Sequence, residues 1–128
     1  MEPFFLLGRV MYGGYFVMTG MKHFQHKQML VGYGTAKGLS APSAAVSLSG
    51  LLLIAAGLSI IFGVWIKAAV ALLVIFLSVV SFTMHAYWRE SDPMAKMGDM
   101  TQFMKNMALL GAALMLPMIR EPWLWSMM

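Results

Sequence analysis

Ala68-Ala69-Val70-Ala71-Leu72-Leu73-Val74, set inside an apolar stretch running from Ile66 to Ala86, is the segment that decides the fold. Such an uninterrupted run lacks the alternation of a membrane β-barrel strand, and a stretch of about 20 apolar residues is what a helix needs to cross the hydrocarbon core. Three more stretches of this kind occur, at Pro3 to Met21, Ser43 to Phe62 and Thr101 to Ile119. A spanning segment must satisfy its own backbone N–H and C=O groups, because lipid offers them no partner. The pattern therefore predicts an all-α integral membrane four-helix bundle forming one domain over residues 1–128.

The connections carry the topology. Gly63, Val64 and Trp65 leave only a tight turn between the second and third stretches, which predicts antiparallel neighbours. Between Lys22 and Pro42, Met29, Leu30, Tyr33 and Ala36 recur at helical spacing among polar residues, and this predicts a short amphipathic surface helix between spans 1 and 2. Small residues mark packing faces: Ala55, Ser59 and Gly63 on one stripe of the second span, Gly13 and Gly20 on the first. Four spans put both termini on one side. The long loops hold Lys22, Lys27, Lys37, Arg89, Lys96 and Lys105, against Arg9, Lys67 and Arg120 opposite, so the loops are expected in the cytoplasm and the termini outside it.

Composition narrows the function. Hydrophobic residues make up 60% of the 128 and charged residues 11%, outside the range of a soluble domain. The net charge of +4 is spread over single Lys and Arg residues with no basic stripe, so membrane lipids rather than nucleic acid are the expected partner. With no cysteine, thiolate catalysis, Cys-ligated zinc and iron–sulfur clusters are excluded. The first apolar run lacks a basic leader and a small-residue cleavage site, and it is read as a retained span. No nucleophile elbow, phosphate loop, HExxH or paired carboxylate occurs.

Polar residues inside apolar stretches are the site candidates, because each costs free energy unless it is paired. Lys22, His23, His85, Arg89, Asp92 and Asn106 are expected at one level of the bundle, on the loop side. Ser78, Ser81 and His85 extend that level inward along one helix face. An imidazole donates and accepts near neutral pH, so His85 suits a quinone oxygen or a proton relay, with Asn106 as a second anchor. Arg9 lies well into the first span and must snorkel, pair with Glu2 or Glu121, or hold a headgroup or ligand carbonyl, with Tyr12, Tyr15 and Thr19 beside it. Met94, Met97 and Met100 near the loop-side histidines allow a copper reading, but no histidine or acid completes a known spacing and no metal is assigned.

Several ordered pieces also resemble the DoxX-like family of small four-span bacterial membrane proteins. They are Leu7-Gly8-Arg9, Gly20-Met21-Lys22-His23-Phe24, Tyr33 with Gly38-Leu39-Ser40-Ala41-Pro42, Gly57 before Gly63, His85-Ala86-Tyr87-Trp88 with Asp92-Pro93, and Phe103-Met104-Lys105-Asn106-Met107-Ala108-Leu109-Leu110-Gly111. The resemblance implies a bundle in the bacterial plasma membrane. Its name-giving relatives are associated with a thiosulfate:quinone oxidoreductase, and others with membrane redox and stress complexes. Carried over by position, it marks Arg9, Lys22, His85, Trp88, Asp92, Lys105 and Asn106 as ligand-binding. Where many members have an acidic residue early in the second span, this chain has Leu53, so a proton- or cation-coupled role using that carboxylate is not expected.

The leading expectation is a non-catalytic accessory subunit that offers a quinone or a bound lipid an intramembrane pocket beside a membrane-associated redox partner. A small transporter or pore, acting as a homo-oligomer, and a membrane scaffold or assembly factor are the alternatives.

Overall fold

A computed structural model of the chain describes residues 2–123. All regular structure among them is helical: α1 (Glu2–Gln25), α2 (Lys27–Ala36), α3 (Pro42–Phe62), α4 (Ile66–Thr83) and α5 (Pro93–Met115), with short 3-10 turns at Tyr87–Arg89 and Leu116–Met118. The surface helix expected after the first apolar stretch is α2.

Helix boundaries follow local chemistry. Gly63 ends α3 in the left-handed region (φ 71°), a conformation that costs glycine nothing, and the Val64 N–H returns to the Ser59 carbonyl at 3.0 Å. The chain then re-enters helix at Ile66, which makes α3 and α4 antiparallel. Helix α4 ends at Thr83, short of Ala86, so His85 sits beyond the helix line. Helix α5 starts eight residues before the apolar stretch, at Pro93, because Asp92 caps it: its carboxylate accepts the Ala95 N–H at 2.9 Å, and proline at the first helical position has no donor to lose. Pro117 stops α5 by the same property: without an N–H it cannot continue the helical ladder, and the chain passes into the 3-10 turn.

Helices α1 and α3 approach until their backbones touch. A Cβ on Gly13 would lie 2.5 Å from the Gly57 carbonyl oxygen, and one on Gly20 would lie 2.6 Å from that of Gly50. Lipid tails are as apolar as leucine, so close packing rather than water exclusion must hold membrane helices together, and paired glycines permit it. Gly13 and Gly20 are the predicted packing residues of α1. On α3 the seam is Gly50 and Gly57, not Ala55, Ser59 and Gly63; Ala55 faces outward.

The core runs down one face of each apolar helix. Leu53, Ala56 and Ile60 of α3 meet Ile66, Ala69, Leu73 and Leu77 of α4, with Phe16 of α1 and Ala113 of α5. Leu53, at the position where the family resemblance suggested a carboxylate, is completely buried in this cluster. Helix α1 reaches α5 through a side chain: the Tyr12 hydroxyl donates to the Leu109 carbonyl at 2.6 Å, closing the ring of four long helices.

The outer surface is apolar. Leu48, Leu51, Ile75, Val79 and Phe82 are each more than half exposed. Two helical stretches, Pro42–Phe62 and Ile66–Arg89, are long and apolar enough to cross a membrane, with mean hydropathy 2.3 and only 33% of either window buried inside the protein. A soluble core helix would hide that face, so lipid is the solvent that fits it. Helices α1 and α5 are of similar length, but Arg9 and the tyrosines of α1, and Lys96, Asp99, Gln102 and Lys105 of α5, make them less apolar.

Candidate functional site

A cavity of about 290 Å³ opens inside the loop end of the bundle. Phe16, Val46, Phe76, Leu77 and Val80 form its apolar walls; Thr19 and His23 of α1, Ser49 of α3, His85, and Lys105 and Asn106 of α5 add polar atoms. Leu30, Tyr33 and Gly34 of α2, with Leu39, cover it. The cover forms because the chain turns tightly after α2: a Cβ on Gly34 would sit 3.3 Å from the Leu39 side chain and 3.4 Å from Pro42.

Most hydroxyls in this region are satisfied locally. Ser49 donates to the Ala45 carbonyl and Thr83 to that of Val79, both at 2.6 Å. One buried hydroxyl is not. Ser81 is fully buried with no partner for its hydroxyl among the described residues. Asn106 is 6% exposed and lines the cavity, and its carboxamide makes no side-chain hydrogen bond to a described residue. An amide on a cavity wall with no internal hydrogen bond can both donate to and accept from a ligand's polar head.

Above the cavity lies a polar cluster centred on Asp99. Its Oδ1 accepts the Tyr33 hydroxyl at 2.9 Å and faces His85 Nδ1 at 3.4 Å; its Oδ2 takes the Lys37 ammonium at 2.5 Å. Lys37 also reaches Glu90 at 3.1 Å. Asp99 and Lys37 lie outside the apolar stretches, in the loop-side layer. Burial pushes the Asp99 carboxyl upward, but hydrogen bonds from Lys37, Tyr33 and His85 outweigh it and hold the group below its ordinary value. Burial likewise lowers Lys37, yet its bonds to Asp99 and Glu90 leave it above its ordinary value. A second, outward-facing cavity of about 360 Å³ runs past this cluster and shares Tyr33 and Gln102 with the first.

The residues singled out from sequence fall into two groups. His85, Lys105 and Asn106 line the inner cavity together with His23. Lys105 donates to Gln102 Oε1 at 2.6 Å and lies 5.4 Å from the Tyr15 ring centre. Lys22 is exposed on the last turn of α1, and Asp92 is engaged as the α5 cap. Trp88 is exposed within an aromatic cluster, its ring 5.2–5.8 Å from Tyr87, Phe103 and Phe82. Arg9 lies at the opposite end, 3% exposed, where its Nε donates to the Ile61 carbonyl at 3.1 Å in the last turn of α3 and its guanidinium stacks near Phe5 and Trp123. Of its expected partners Glu121 is exposed, and the Glu2 side chain lies outside the described residues.

Sequence reasoning passed over Asp99, Tyr33 and Lys37 as site residues, although Asp99 is an acid beside an apolar stretch. Met94, Met97 and Met100, which drew attention in that segment, are exposed. Among the described residues no group of three or more His, Cys, Asp or Glu side chains is placed to hold a metal ion. The arrangement suits binding of a small apolar molecule with a polar head, covered on the loop side by α2.

A family model described as DoxX matches residues 4–86, which covers α1 through His85. No curated protein and no solved structure matches the chain.

Proposed function

The chain belongs to the DoxX family and is a membrane protein, and from that premise we propose that it is a non-catalytic accessory subunit holding a quinone or lipid for a membrane redox or stress-response complex. In this reading all four long helices cross the bacterial plasma membrane. The long loops face the cytoplasm, and a redox partner or a second copy docks within the bilayer. The observation that carries the reading is the loop-end cavity: about 290 Å³, walled by aromatic and aliphatic side chains, with the Asn106 carboxamide and the His85 ring on its lining. A ring with an apolar tail fits the walls, while its polar head reaches Asn106 and His85. A bound quinone would supply two-electron redox chemistry; this chain would supply position, shielding from water and hydrogen bonds to the head. Arg9 serves the bundle at its other end.

A ligand that binds only the folded state must raise its stability, by about 2.7 kcal/mol at a hundredfold excess over Kd. Titrating decyl ubiquinone and decyl ubiquinol into purified protein in detergent is expected to raise the thermal midpoint in at least one redox state, and less in Asn106→Leu. If neither state shifts the midpoint, the pocket reading fails.

A further inference from the structure

We infer that the loop-end cavity is built for a ring carrying a hydrogen-bond-donating hydroxyl, and so prefers a quinol to the corresponding quinone. The inference rests on the pocket reading above and specifies which redox state of the ligand the protein stabilises.

The argument starts from two histidines. His23 Nδ1 lies 2.8 Å from the Thr19 carbonyl oxygen, which can only accept, so that contact assigns a proton to Nδ1. His85 Nδ1 faces Asp99 Oδ1 at 3.4 Å, and that carboxylate already receives Lys37 and Tyr33 as donors, so it is ionised and accepts from His85 as well. In a neutral imidazole a proton on Nδ1 leaves a lone pair on Nε2. Both rings line the same cavity, one from α1 and one from the segment after α4. Each ring that lines the cavity therefore carries one acceptor nitrogen.

The remaining polar groups bring donors as well, so the two imidazole acceptors are what distinguish one redox state from the other. Lys105 gives one of its three N–H groups to Gln102 Oε1 and keeps two as donors on the wall. Asn106 offers one carbonyl and one amino group, both without an internal partner. A quinone brings only acceptors: Asn106 and Lys105 can serve its oxygens, but it offers no donor to either imidazole lone pair. A quinol hydroxyl donates to an imidazole while its oxygen accepts from Asn106, so donors and acceptors match. A methylated oxygen lacks the donor and should behave like the quinone.

The test is anaerobic titration calorimetry of purified protein in detergent micelles with decyl ubiquinol, decyl ubiquinone and the dimethyl ether of the quinol. The expected result is quinol binding at least about tenfold tighter than either of the others, about 1.4 kcal/mol. In His23→Phe and His85→Phe, which keep an aromatic ring but remove the acceptor, the quinol-to-quinone ratio should fall toward one. Equal affinity for quinol, quinone and ether in the wild-type protein overturns the inference and leaves the pocket reading standing. No binding of any of them overturns both, and the wild-type comparison decides the matter even if a histidine variant fails to fold.

Discussion

The Tyr33 hydroxyl stands 2.9 Å from Asp99 Oδ1, tying the surface helix α2 to the second turn of α5 across 66 positions of sequence. Lys37 reinforces the tie from the residue after α2, on the other carboxylate oxygen. Two polar ties of the cavity's cover thus converge on one acid.

Asp99→Asn preserves shape and removes the charge, leaving Lys37 with Glu90 alone. The expected cost is about 1–3 kcal/mol, since a largely buried charged hydrogen bond is lost. It should appear as a lower thermal midpoint and as faster amide exchange across residues 27–36, while α3 stays protected. The pH dependence has a definite sign. A carboxyl held below its ordinary value contributes stability that is complete above the unfolded value and is lost as pH falls through the folded one. The Asp99 contribution should therefore begin to fade as pH drops below about 3.8. Lys37, shifted upward, contributes fully throughout that acid range. Acid titration should destabilise the wild type more than Asp99→Asn; parallel curves would show that the cluster does not hold the cover.

The glycine seam makes a paired prediction. Gly13→Ala drives a methyl against the Gly57 carbonyl, while a Cβ on the adjacent Gly14 meets nothing within 4 Å. Gly13→Ala should destabilise by about 1–3 kcal/mol through backbone separation. Gly14→Ala should be neutral or stabilising by up to about 1 kcal/mol, because alanine gives up less freedom in a helix. Unfolding in detergent would check both, and equal effects would remove the seam as the reason for close packing.

Arg9→Met keeps the apolar stem and removes the bond to the Ile61 carbonyl. A loss of about 1–3 kcal/mol is expected from the unpartnered carbonyl and the lost stacking on Phe5 and Trp123. Decyl ubiquinol affinity should not change, since the two sites occupy opposite ends. A large change in affinity would place the ligand near Arg9 instead.

Much of the bundle was readable in advance because hydropathy is a local property. The runs that became α3 and α4, and the Gly63-Val64-Trp65 turn, needed no tertiary information. Apolarity begins only at Thr101, eight residues inside α5, so hydropathy places the helix start too late, although Asp92-Pro93 is itself a cap followed by a first-turn proline. The polar cluster was harder to see: Lys37 and Asp99 are 62 residues apart, and neither belongs to a motif. The seven-residue spacing of Gly13 and Gly20 does recur in Gly50 and Gly57, so the α3 half of the seam was present in the sequence. Ala55, Ser59 and Gly63 form an equally good stripe of small residues, and only packing decides which face turns inward.

With carbonyls seated against α-carbons at two levels seven residues apart, α1 and α3 cannot slip past one another even by a single residue. The wall of the cavity formed by Thr19, His23, Val46 and Ser49 consequently stands on the most closely packed pair of helices, an anvil for whatever the cavity holds. Were the cavity to widen for a guest, the change would fall on α5 and α2, and substitutions meant to alter entry and exit rates belong on those two helices.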